Sequence, residues 1–411
     1  IENEIPRFIQ AIAHGNFGEA NDILAERTNL PSICGRVCPR ENQCEGNCIM
    51  NKAKKPPINI GKLERFAADF ESINELRKPK KIKQDLGKVA VVGSGPAGLS
   101  VAGDIAKLGY EVTVFEGQSE PGGVLLFGIP EFRLSKSVVR REIARLEGLG
   151  VKFVCNTFIG QDKTLDELFA EGFDSIFIGT GTHIPQEVRM ENDEVHGVFQ
   201  AMYLLTNVQL VENGELDAEQ IPVKKGDRVI IIGGGNVAMD AARTCVRLGC
   251  ESVTVAYRRS QEQMPALLSE YEEARAEGVQ FQWFASPVGV EGKDKVEGFK
   301  YEVMALNEDG AGIHGTGKFQ VMPVDKIIIA AGHKPNARLI GEGNNLKVDE
   351  KGYIITSEDP YGMTNRDGVF AGGDVVHKPA TVVLAMREAK KAVDGMVKYM
   401  EIKKAQESAN Q

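Results

Sequence analysis

Four of the chain's seven cysteines fall in one short stretch from Ile33 to Cys48, which is punctuated by glycine and proline. They are Cys34, Cys38, Cys44 and Cys48, spaced C-x3-C-x5-C-x3-C. Zinc sites favour C-x2-C pairs, so this spacing fits zinc poorly. An odd cysteine total with no framework spread along the chain indicates a reducing compartment, which argues against disulfides. Iron–sulfur ligation is therefore favoured, and zinc binding and redox or structural thiols remain alternatives.

A glycine-rich turn directly follows the apolar run Lys88–Val92, which predicts a buried strand. Gly93, Gly95 and Gly98 form G-x-G-x-x-G before a predicted helix, and Glu116 ends the next predicted strand. Such a turn brings the backbone close to a pyrophosphate at the helix N-terminus, and the acid accepts hydrogen bonds from ribose hydroxyls. The stretch therefore predicts a dinucleotide site, against the alternative of a tight turn without a ligand.

The same pattern returns about 140 residues later in a variant form, G-x-G-x-x-A, at Gly233, Gly235 and Ala238. Its second strand ends in Arg258 and Arg259, where the first site has an acid. Arginine at this position suits a 2′-phosphate through charge-assisted hydrogen bonds. The second site is therefore predicted to hold NADP(H), although two surface arginines would give the same pattern.

Three further apolar runs end in glycine-rich turns and are predicted to be strands that position these sites. They are 174–182, 325–336 and 368–376, and the last precedes a helix predicted from Ala380 to about Met400, with a frayed tail after it. Gly373 and Asp374 in the last turn indicate a flavin at the first site, because an aspartate there can bind a ribityl hydroxyl. An ordinary helix N-cap is the alternative role for Asp374.

Two βαβ units this far apart predict an α/β fold with two Rossmann-like dinucleotide-binding domains, the NADPH domain being inserted in the FAD domain. A small helical iron–sulfur domain precedes them, with short helices over 1–30, a helix over 60–76 and a basic linker over 77–88. The predicted boundaries are 1–86 for the helical domain and linker, 87–200 and 333–411 for the FAD domain, and 201–332 for the NADPH domain.

The net charge of −9 argues against nucleic acid or an anionic membrane surface as the partner. No apolar run reaches the roughly 18 residues of a membrane span, and no signal peptide is visible, so a cytoplasmic location is expected. The chain begins with Ile, which leaves targeting open. Cys155, Cys245 and Cys250 lie among apolar neighbours and are expected to be buried, inert thiols.

Several motifs together resemble one family along essentially the whole chain. They are VGSGPAGLS, PGGVLLFGIPEFRLSK, GGGNVAMDAARTCVRLG, AYRRSQEQMP and GVFAGGDVV. They are similar to the small subunit of NADPH-dependent glutamate synthase. They are also similar to the closely related large subunit of electron-bifurcating, NADPH-dependent ferredoxin:NADP oxidoreductase, a transhydrogenase. The resemblance implies FAD at the first site, NADPH at the second and two 4Fe–4S clusters in the helical domain.

The two cofactor sites are predicted to consist mainly of backbone at turns and strand ends. The FAD site comprises Gly93, Ser94, Gly95, Pro96, Ala97, Gly98, Glu116, Gly373 and Asp374, and the resemblance adds Gly122, Gly123, Gly128, Ile129, Pro130, Arg133, Thr180, Gly181, Thr381 and Val382. The NADPH site comprises Gly233, Gly234, Gly235, Asn236, Val237, Arg258, Arg259, Ala331 and Gly332. No acid–base residue is assigned, because the cofactors carry the chemistry.

The resemblance also implies how the cysteines are shared. Family members carry a second cysteine-rich motif just upstream of where this sequence starts, and the two motifs exchange ligands as in two-cluster ferredoxins. Cys38 and Cys44 would then serve one cluster and Cys48 the other. Glu64 matches the family's non-cysteine ligand, with a solvated helix glutamate as the alternative, and Cys34 matches a position that is often not a ligand.

By this resemblance, electrons pass between NADPH and a partner subunit through FAD and the clusters. The amino-acid sequence of the cysteine stretch more closely resembles that of the transhydrogenase large subunit, and the glutamate synthase small subunit is the alternative. The expected partner is accordingly a ferredoxin-linked flavoprotein or the glutamate synthase large subunit. A disulfide reductase is disfavoured because the chain contains no C-x-x-C. A non-catalytic relay or scaffold subunit is a further alternative, which the intact second glycine turn argues against.

Overall fold

The structure is a computed structural model that describes residues 2–74, 82–308, 310, 312–336, 343–378 and 381–409. The chain forms two compact units. The first comprises Ile1–Leu126, Glu131–Ile184 and Lys334–Gln411, and the second comprises Phe127–Pro130 and Pro185–His333. Across the described residues, no helix has both the length and the apolar content needed to cross a membrane.

The first unit begins with five helices. They are α1 (Ile5–Ala13), α2 (Phe17–Ala25), α3 (Pro31–Val37), α4 (Ile49–Lys52) and α5 (Ile60–Asn74), with a 3-10 turn at Arg40–Asn42. Phe8, Leu24 and Ala67 belong to one buried apolar core that holds α1, α2 and α5 together. The helix predicted over 60–76 is thus observed to Asn74. Residues 75 and 76, and the linker as far as 81, lie outside the described residues.

The first unit continues with a five-stranded sheet. Its strands are β1 (Lys88–Val92), β2 (Glu111–Phe115), β3 (Lys152–Val154), β4 (Ser175–Ile178) and β15 (Val369–Ala371), in the order β15-β4-β1-β2-β3. All neighbouring pairs are parallel. The helices α6 (Pro96–Lys107), α7 (Val124–Phe127), α8 (Lys136–Leu149) and α9 (Leu165–Ala170) fall between these strands in the chain.

The second unit has its own parallel sheet of β6 (Val198–Gln200), β7 (Arg228–Ile232), β8 (Ser252–Tyr257), β9 (Gln280–Trp283) and β13 (Lys326–Ile329), ordered β6-β13-β7-β8-β9. Its helices are α10 (Ala201–Glu212), α11 (Asn236–Arg247) and α12 (Leu268–Ala276). Along β7, Val229 and Ile231 face one apolar core while Ile230 and Ile232 face another. Because both faces of the sheet are covered, the residues of β7 are apolar at consecutive positions rather than at alternate ones.

A three-stranded antiparallel sheet covers one of these faces and was not predicted. It consists of β10 (Ala285–Glu291), β11 (Gly298–Leu306) and β12 (Ile313–Pro323), and it contributes Phe299 and Tyr301 to the core beneath β7. The short strands β5 (Ile184–Pro185) and β14 (His333–Lys334) lie where the chain passes between units.

The predicted fold class is confirmed: helices precede two Rossmann-like sheets, and the second is inserted within the sequence of the first. The four predicted domain boundaries stay a prediction. The second compact unit starts at Pro185 rather than 201, because β6 pairs with β13 of its sheet. The helical segment is grouped with the first sheet.

Two local expectations differ from the structure. Cys34 lies within α3 rather than in a loop, because Pro31 occupies the first helical turn, where its missing N–H costs nothing. The last helix, α13 (Val382–Ala409), continues through most of the tail that was expected to fray. Met396 and Met400 are buried along this helix and anchor it. Its predicted start at Ala380 lies outside the described residues.

Candidate cofactor-binding sites

The first glycine turn joins β1 to α6, and its three glycines have different steric roles. Gly93 has a φ of +93°, and a Cβ there would lie 2.8 Å from the carbonyl oxygen of Gly179. A Cβ on Gly98 would clash with the carbonyl oxygen of Gly93. At Gly95 a Cβ would meet nothing within 4 Å, so the backbone is open to an approaching group. This is the arrangement that a pyrophosphate at a helix N-terminus requires.

Glu116 is buried at the end of β2 and holds this turn in place. Its Oε2 accepts a hydrogen bond from the Ser94 backbone N at 3.0 Å and another from the Ser94 hydroxyl. Its Oε1 accepts from the Gln118 backbone N at 2.9 Å, and the Ser94 Oγ accepts from the Gly122 backbone N at 2.8 Å. Since a carboxylate has about four acceptor positions, a ribose hydroxyl can still donate to it.

Other residues of the predicted FAD site converge on the same edge of the first sheet. A Cβ on Gly123 would lie 2.9 Å from the Cα of Gly95, and one on Gly373 would lie 2.7 Å from the Cβ of Ala97. Thr180 and Gly181 follow β4, and Asp374 follows β15, which pairs with β4. The structure thus brings these segments together, because the carboxyl ends of parallel strands share one edge of the sheet.

Thr381 lies just before α13 and links this helix to the cysteine stretch. Its Oγ1 accepts a hydrogen bond from the Leu384 backbone N at 3.3 Å and one from the Gln43 amide at 3.5 Å. Thr381 therefore acts in part as a helix cap. A role for Thr381 and Val382 beside FAD stays a prediction.

The predicted FAD residues between 128 and 133 are divided by the structure. Gly128, Ile129 and Pro130 belong to the short segment that is grouped with the second unit, whereas Arg133 belongs to the first. Their assignment to the FAD site therefore stays a prediction.

The second glycine turn repeats the steric pattern of the first. Gly233 has a φ of +143°, and a Cβ there would lie 2.5 Å from the carbonyl oxygen of Ala330, at the end of β13. A Cβ on Gly235 would meet nothing within 4 Å. The side chain of Asn236 accepts a hydrogen bond from the Leu267 backbone N at 3.1 Å, which ties the start of α11 to the segment before α12. Ala331 and Gly332 follow directly on β13, beside the turn.

Arg258 and Arg259 lie just after β8, which pairs with the strand that leads into this turn. Arg258 is exposed and Arg259 is half-buried. Within the described part of the chain, neither guanidinium has a hydrogen-bond or ion-pair partner. Two unpaired cations near the second turn could pair with a phosphate group, and this contact stays a prediction.

Two of the four clustered cysteines, Cys34 and Cys44, are affected by the charge of Glu64 in the helical segment. Cys34 is buried in α3, and Cys38 directly follows that helix. Interaction with the neighbouring Cys38 thiol, together with burial, raises the pKa of the Cys34 thiol well above its ordinary value, and the charge of Glu64 adds to this rise. Burial raises the pKa of Cys44 to about 11, and the nearby charges of Glu45 and Glu64 add to this rise. The Glu64 carboxyl therefore acts on two of these thiols, Cys34 and Cys44.

Glu64 is only 6% exposed on α5, so it is not the solvated helix glutamate that was kept as an alternative. Burial raises the pKa of its carboxyl to about 7, against the opposing effects of the Asn3 amide and the Arg40 charge. The Asn3 Nδ2 donates to the Glu64 Oε1 at 3.3 Å. A buried carboxyl whose charge acts on Cys34 and Cys44 fits a ligand position.

Cys48, just before α4, is buried. All seven cysteines are free thiols. Within the described ranges, no three His, Cys, Asp or Glu side chains are arranged to hold a metal ion. Free thiols and one buried carboxyl nevertheless fit the donor chemistry of an iron–sulfur cluster. The assignment of Cys38, Cys44, Cys48 and Glu64 as ligands stays a prediction.

Sequence reasoning missed Asn3 and Arg40, which act on Glu64. The sequence could have indicated Arg40, because it is a cation placed between two candidate thiolate ligands, Cys38 and Cys44. No sequence pattern could have indicated Asn3, since 61 residues separate it from Glu64 and no periodicity connects the two.

Comparison with known proteins finds two family matches that together span most of the chain. Residues 87–389 match a family described as pyridine nucleotide-disulphide oxidoreductase. Residues 1–76 match a family described as dihydropyrimidine dehydrogenase domain II, 4Fe-4S cluster.

Individual relatives cover nearly the whole chain. The small chain of NADPH glutamate synthase from Escherichia coli K12 is 36% identical over 98% of this chain and 87% of its own length. The beta subunit of an NADP-dependent formate dehydrogenase from Moorella thermoacetica is 34% identical over 97% of this chain and 58% of its own. Among solved structures, FprA from Mycobacterium tuberculosis has a TM-score of 0.64 at 20% identity, covering 79% of this chain and 86% of that one.

Proposed function

The chain belongs to the pyridine nucleotide-disulphide oxidoreductase family, and from this premise we propose that it exchanges electrons between NADPH and a partner subunit. It is an NADPH-dependent flavin oxidoreductase whose cofactors are FAD, NADPH and a 4Fe–4S cluster. The observation that carries the proposal is the combination of two open glycine turns with a stretch of free thiols, two of which are affected by the charge of the buried Glu64. Two-electron and one-electron sites thus occur on one chain.

When bound, NADPH supplies a hydride, FAD accepts the electron pair, and an iron–sulfur cluster carries electrons singly. The chain's own residues bind and orient these groups. Gly95 and Gly235 leave room for a pyrophosphate at the start of α6 and of α11. Arg258 and Arg259 would hold the 2′-phosphate, and Glu116 would accept from a ribose hydroxyl. Cys38, Cys44 and Glu64 would hold a cluster.

Two assemblies are candidates for the partner. The NADPH glutamate synthase small chain is favoured by the 36% identity over 98% of this chain. The ferredoxin:NADP transhydrogenase large subunit is favoured by the amino-acid sequence of the cysteine stretch and of the segment INIGKLERFAADF. In both assemblies, a chain with these cofactor sites would exchange electrons with a second protein. The two candidate assemblies are therefore distinguished by the partner rather than by the residues of this chain.

Anaerobic titration of the purified chain with NADPH tests the shared part of the proposal. Loss of the visible flavin absorbance on addition of NADPH supports it. A flavin that NADPH does not bleach would instead indicate a non-catalytic relay or scaffold subunit.

The partner is then identified by purifying the native complex and determining the mass of the second subunit. NADPH-dependent glutamate formation by that complex would support the glutamate synthase assignment. Ferredoxin-dependent NADP reduction would support the transhydrogenase assignment. A complex with neither activity would contradict both.

A further inference from the structure

The helix α11, which starts at the second glycine turn, ends in a Schellman motif. Gly249 has a φ of +80° and follows the helix by one residue. The Cys250 backbone N donates to the Cys245 carbonyl oxygen at 3.3 Å, and the Gly249 N donates to the Val246 oxygen at 3.0 Å. These are the two hydrogen bonds that define the motif.

A Schellman motif brings together the side chains at the two ends of its longer hydrogen bond. Here both are cysteines. Cys245 is fully buried in the core beneath the second sheet, and Cys250 packs against the same core while remaining half-buried. The two side chains lie close enough for each thiol to shift the pKa of the other. The expectation that Cys155, Cys245 and Cys250 are buried therefore holds for Cys245 but not for Cys155 and Cys250, which are half-buried.

We propose that Cys245 and Cys250 form a dithiol site that a peroxide oxidises to an intramolecular disulfide and that a thiol reductant restores. Cys250 is the residue oxidised first, because its side chain is half-buried whereas that of Cys245 is fully buried. Cys245 is the resolving thiol, because the Schellman motif places its side chain beside that of Cys250.

The chemistry balances in two steps. The Cys250 thiolate attacks one oxygen of hydrogen peroxide, the O–O bond breaks, and Cys250 becomes a sulfenic acid. The departing hydroxide takes up the proton that the Cys250 thiol released, which gives one water. The Cys245 sulfur then attacks the Cys250 sulfur, the S–S bond forms, and the hydroxyl group leaves as a second water. The peroxide accepts two electrons in total, and the two thiols supply them.

The electrostatics of the pair agree with this order of events. The neighbouring Cys245 thiol lowers the pKa of Cys250, while the same interaction and burial raise the pKa of Cys245. The facing acid is Asp227, whose charge opposes ionisation of both thiols. The Cys250 thiol donates to the Lys224 carbonyl oxygen at 3.9 Å. The Cys245 thiol has the largest effect on the pKa of Cys250, so a thiolate forms more readily there than at an isolated cysteine.

Peptide mapping of the peroxide-treated holoprotein tests the proposal directly. Trypsin cleaves after Arg243, Arg247 and Arg258, so the two cysteines fall on separate peptides, 244–247 and 248–258. Oxidation should join these peptides, with a loss of about 2 Da relative to their summed masses, and dithiothreitol should separate them. Peptides that remain unlinked, with both thiols open to alkylation, would overturn the proposal.

Two variants separate the roles of the thiols. Cys245→Ala should leave a Cys250 sulfenic acid that dimedone traps, whereas Cys250→Ser should leave Cys245 unmodified at the same peroxide dose. Cys155 is the internal control, since it is also half-buried but has a pKa raised by burial and nearby carboxylates. We expect Cys250 to react at least about tenfold faster than Cys155. Equal reaction of the two thiols in the parent chain would contradict a dithiol site.

Discussion

At the scale of single residues, the two cofactor sites differ most in the group that follows their second strand. Glu116 is buried and hydrogen-bonded to Ser94, whereas Arg258 is exposed and has no partner among the described residues. A carboxylate repels a 2′-phosphate and an unpaired guanidinium attracts it. The nicotinamide preference therefore depends on a few side chains rather than on the fold.

Replacing Arg258 and Arg259 together by Ala should lower kcat/KM for NADPH by at least about tenfold, because charge-assisted hydrogen bonds contribute roughly 1.5–3 kcal/mol. The value for NADH should change little. Steady-state kinetics with both nucleotides measures the effect. Arg275→Ala is the matched control, since Arg275 is exposed on α12 of the same unit and has no assigned role. A parent enzyme that uses NADH and NADPH equally well would refute the preference.

Glu64 is the most unusual of the proposed ligands. Because a carboxylate is a harder donor than a thiolate, Glu64→Ala should make one cluster labile, and Glu64→Cys should retain it at a different midpoint potential. Redox titration followed by electron paramagnetic resonance compares the variants with the parent. Glu71→Ala, which changes another buried glutamate of the same helix, controls for simple loss of packing. If the Glu64 variants match the parent in spectrum and midpoint, Glu64 is not a ligand.

At the scale of elements, each of the two strand–turn–helix segments has one glycine needed for packing and another that leaves room for a cofactor. In each turn the first glycine is constrained by the neighbouring strand end, whereas the second faces open space. The first therefore serves the fold, and the second keeps the approach to the helix N-terminus clear.

Gly235→Ala should consequently raise the KM for NADPH at least about tenfold, since a Cβ there meets nothing within the chain but blocks a pyrophosphate. The melting temperature should stay close to that of the parent. Gly233→Ala is the informative contrast, because its Cβ would lie 2.5 Å from the Ala330 oxygen and should destabilise the fold. Unchanged NADPH affinity in Gly235→Ala would exclude this turn as the nucleotide site.

The contact between α11 and α12 predicts a pH effect on stability. Hydrogen bonds from Arg247 and Arg243 hold the pKa of Glu277 at about 2, below its ordinary value of 4.5. A depressed carboxyl pKa stabilises the folded state fully above pH 4.5, and this contribution is lost as the pH falls toward 2. Because Glu277 is partly exposed, solvent screening limits the contribution to about 1 kcal/mol.

Glu277→Gln should therefore lower the melting temperature at pH 7, and the difference from the parent should shrink as the pH falls below 4.5. Calorimetric scans across this range measure it. Glu272→Gln, at an exposed position on the same helix, should show no such difference. A constant difference at every pH would mean that the lost contact is packing rather than an ion pair.

At the scale of the whole molecule, the segments with one-electron chemistry and those with two-electron chemistry are separate in the sequence. The cysteines precede residue 50, and the two glycine turns begin at Gly93 and Gly233. Loss of a cluster ligand should therefore interrupt electron delivery to a partner without preventing flavin reduction.

Cys38→Ala should lower the iron content and the visible cluster absorbance, while NADPH should still bleach the flavin under anaerobic conditions. Iron analysis and stopped-flow absorbance measure the two effects. Cys155→Ala, which removes a thiol far from the cysteine stretch in sequence, should change neither. Unchanged iron per chain in Cys38→Ala would show that Cys38 is not a ligand.

The sequence by itself determined the features that depend on neighbouring residues. The run at 88–92, the spacing of Gly93, Gly95 and Gly98, and the pair Arg258–Arg259 each occupy a few consecutive positions, so periodicity and motif spacing located their strands, turns and helices. The relation between Cys245 and Cys250 also had a local signal, since a glycine directly before Cys250 is typical of a helix end.

Only the tertiary structure decided which distant side chains share an environment. Glu64 is buried close to Cys34 and Cys44 because separate helical segments pack together, and Asn3 donates to it from 61 residues away. The antiparallel sheet over β7 and the grouping of Phe127–Pro130 with the second unit were likewise unpredicted. The physical reason is that burial, and the pKa shifts that it causes, depend on the whole packed chain, whereas a sequence pattern records only local spacing.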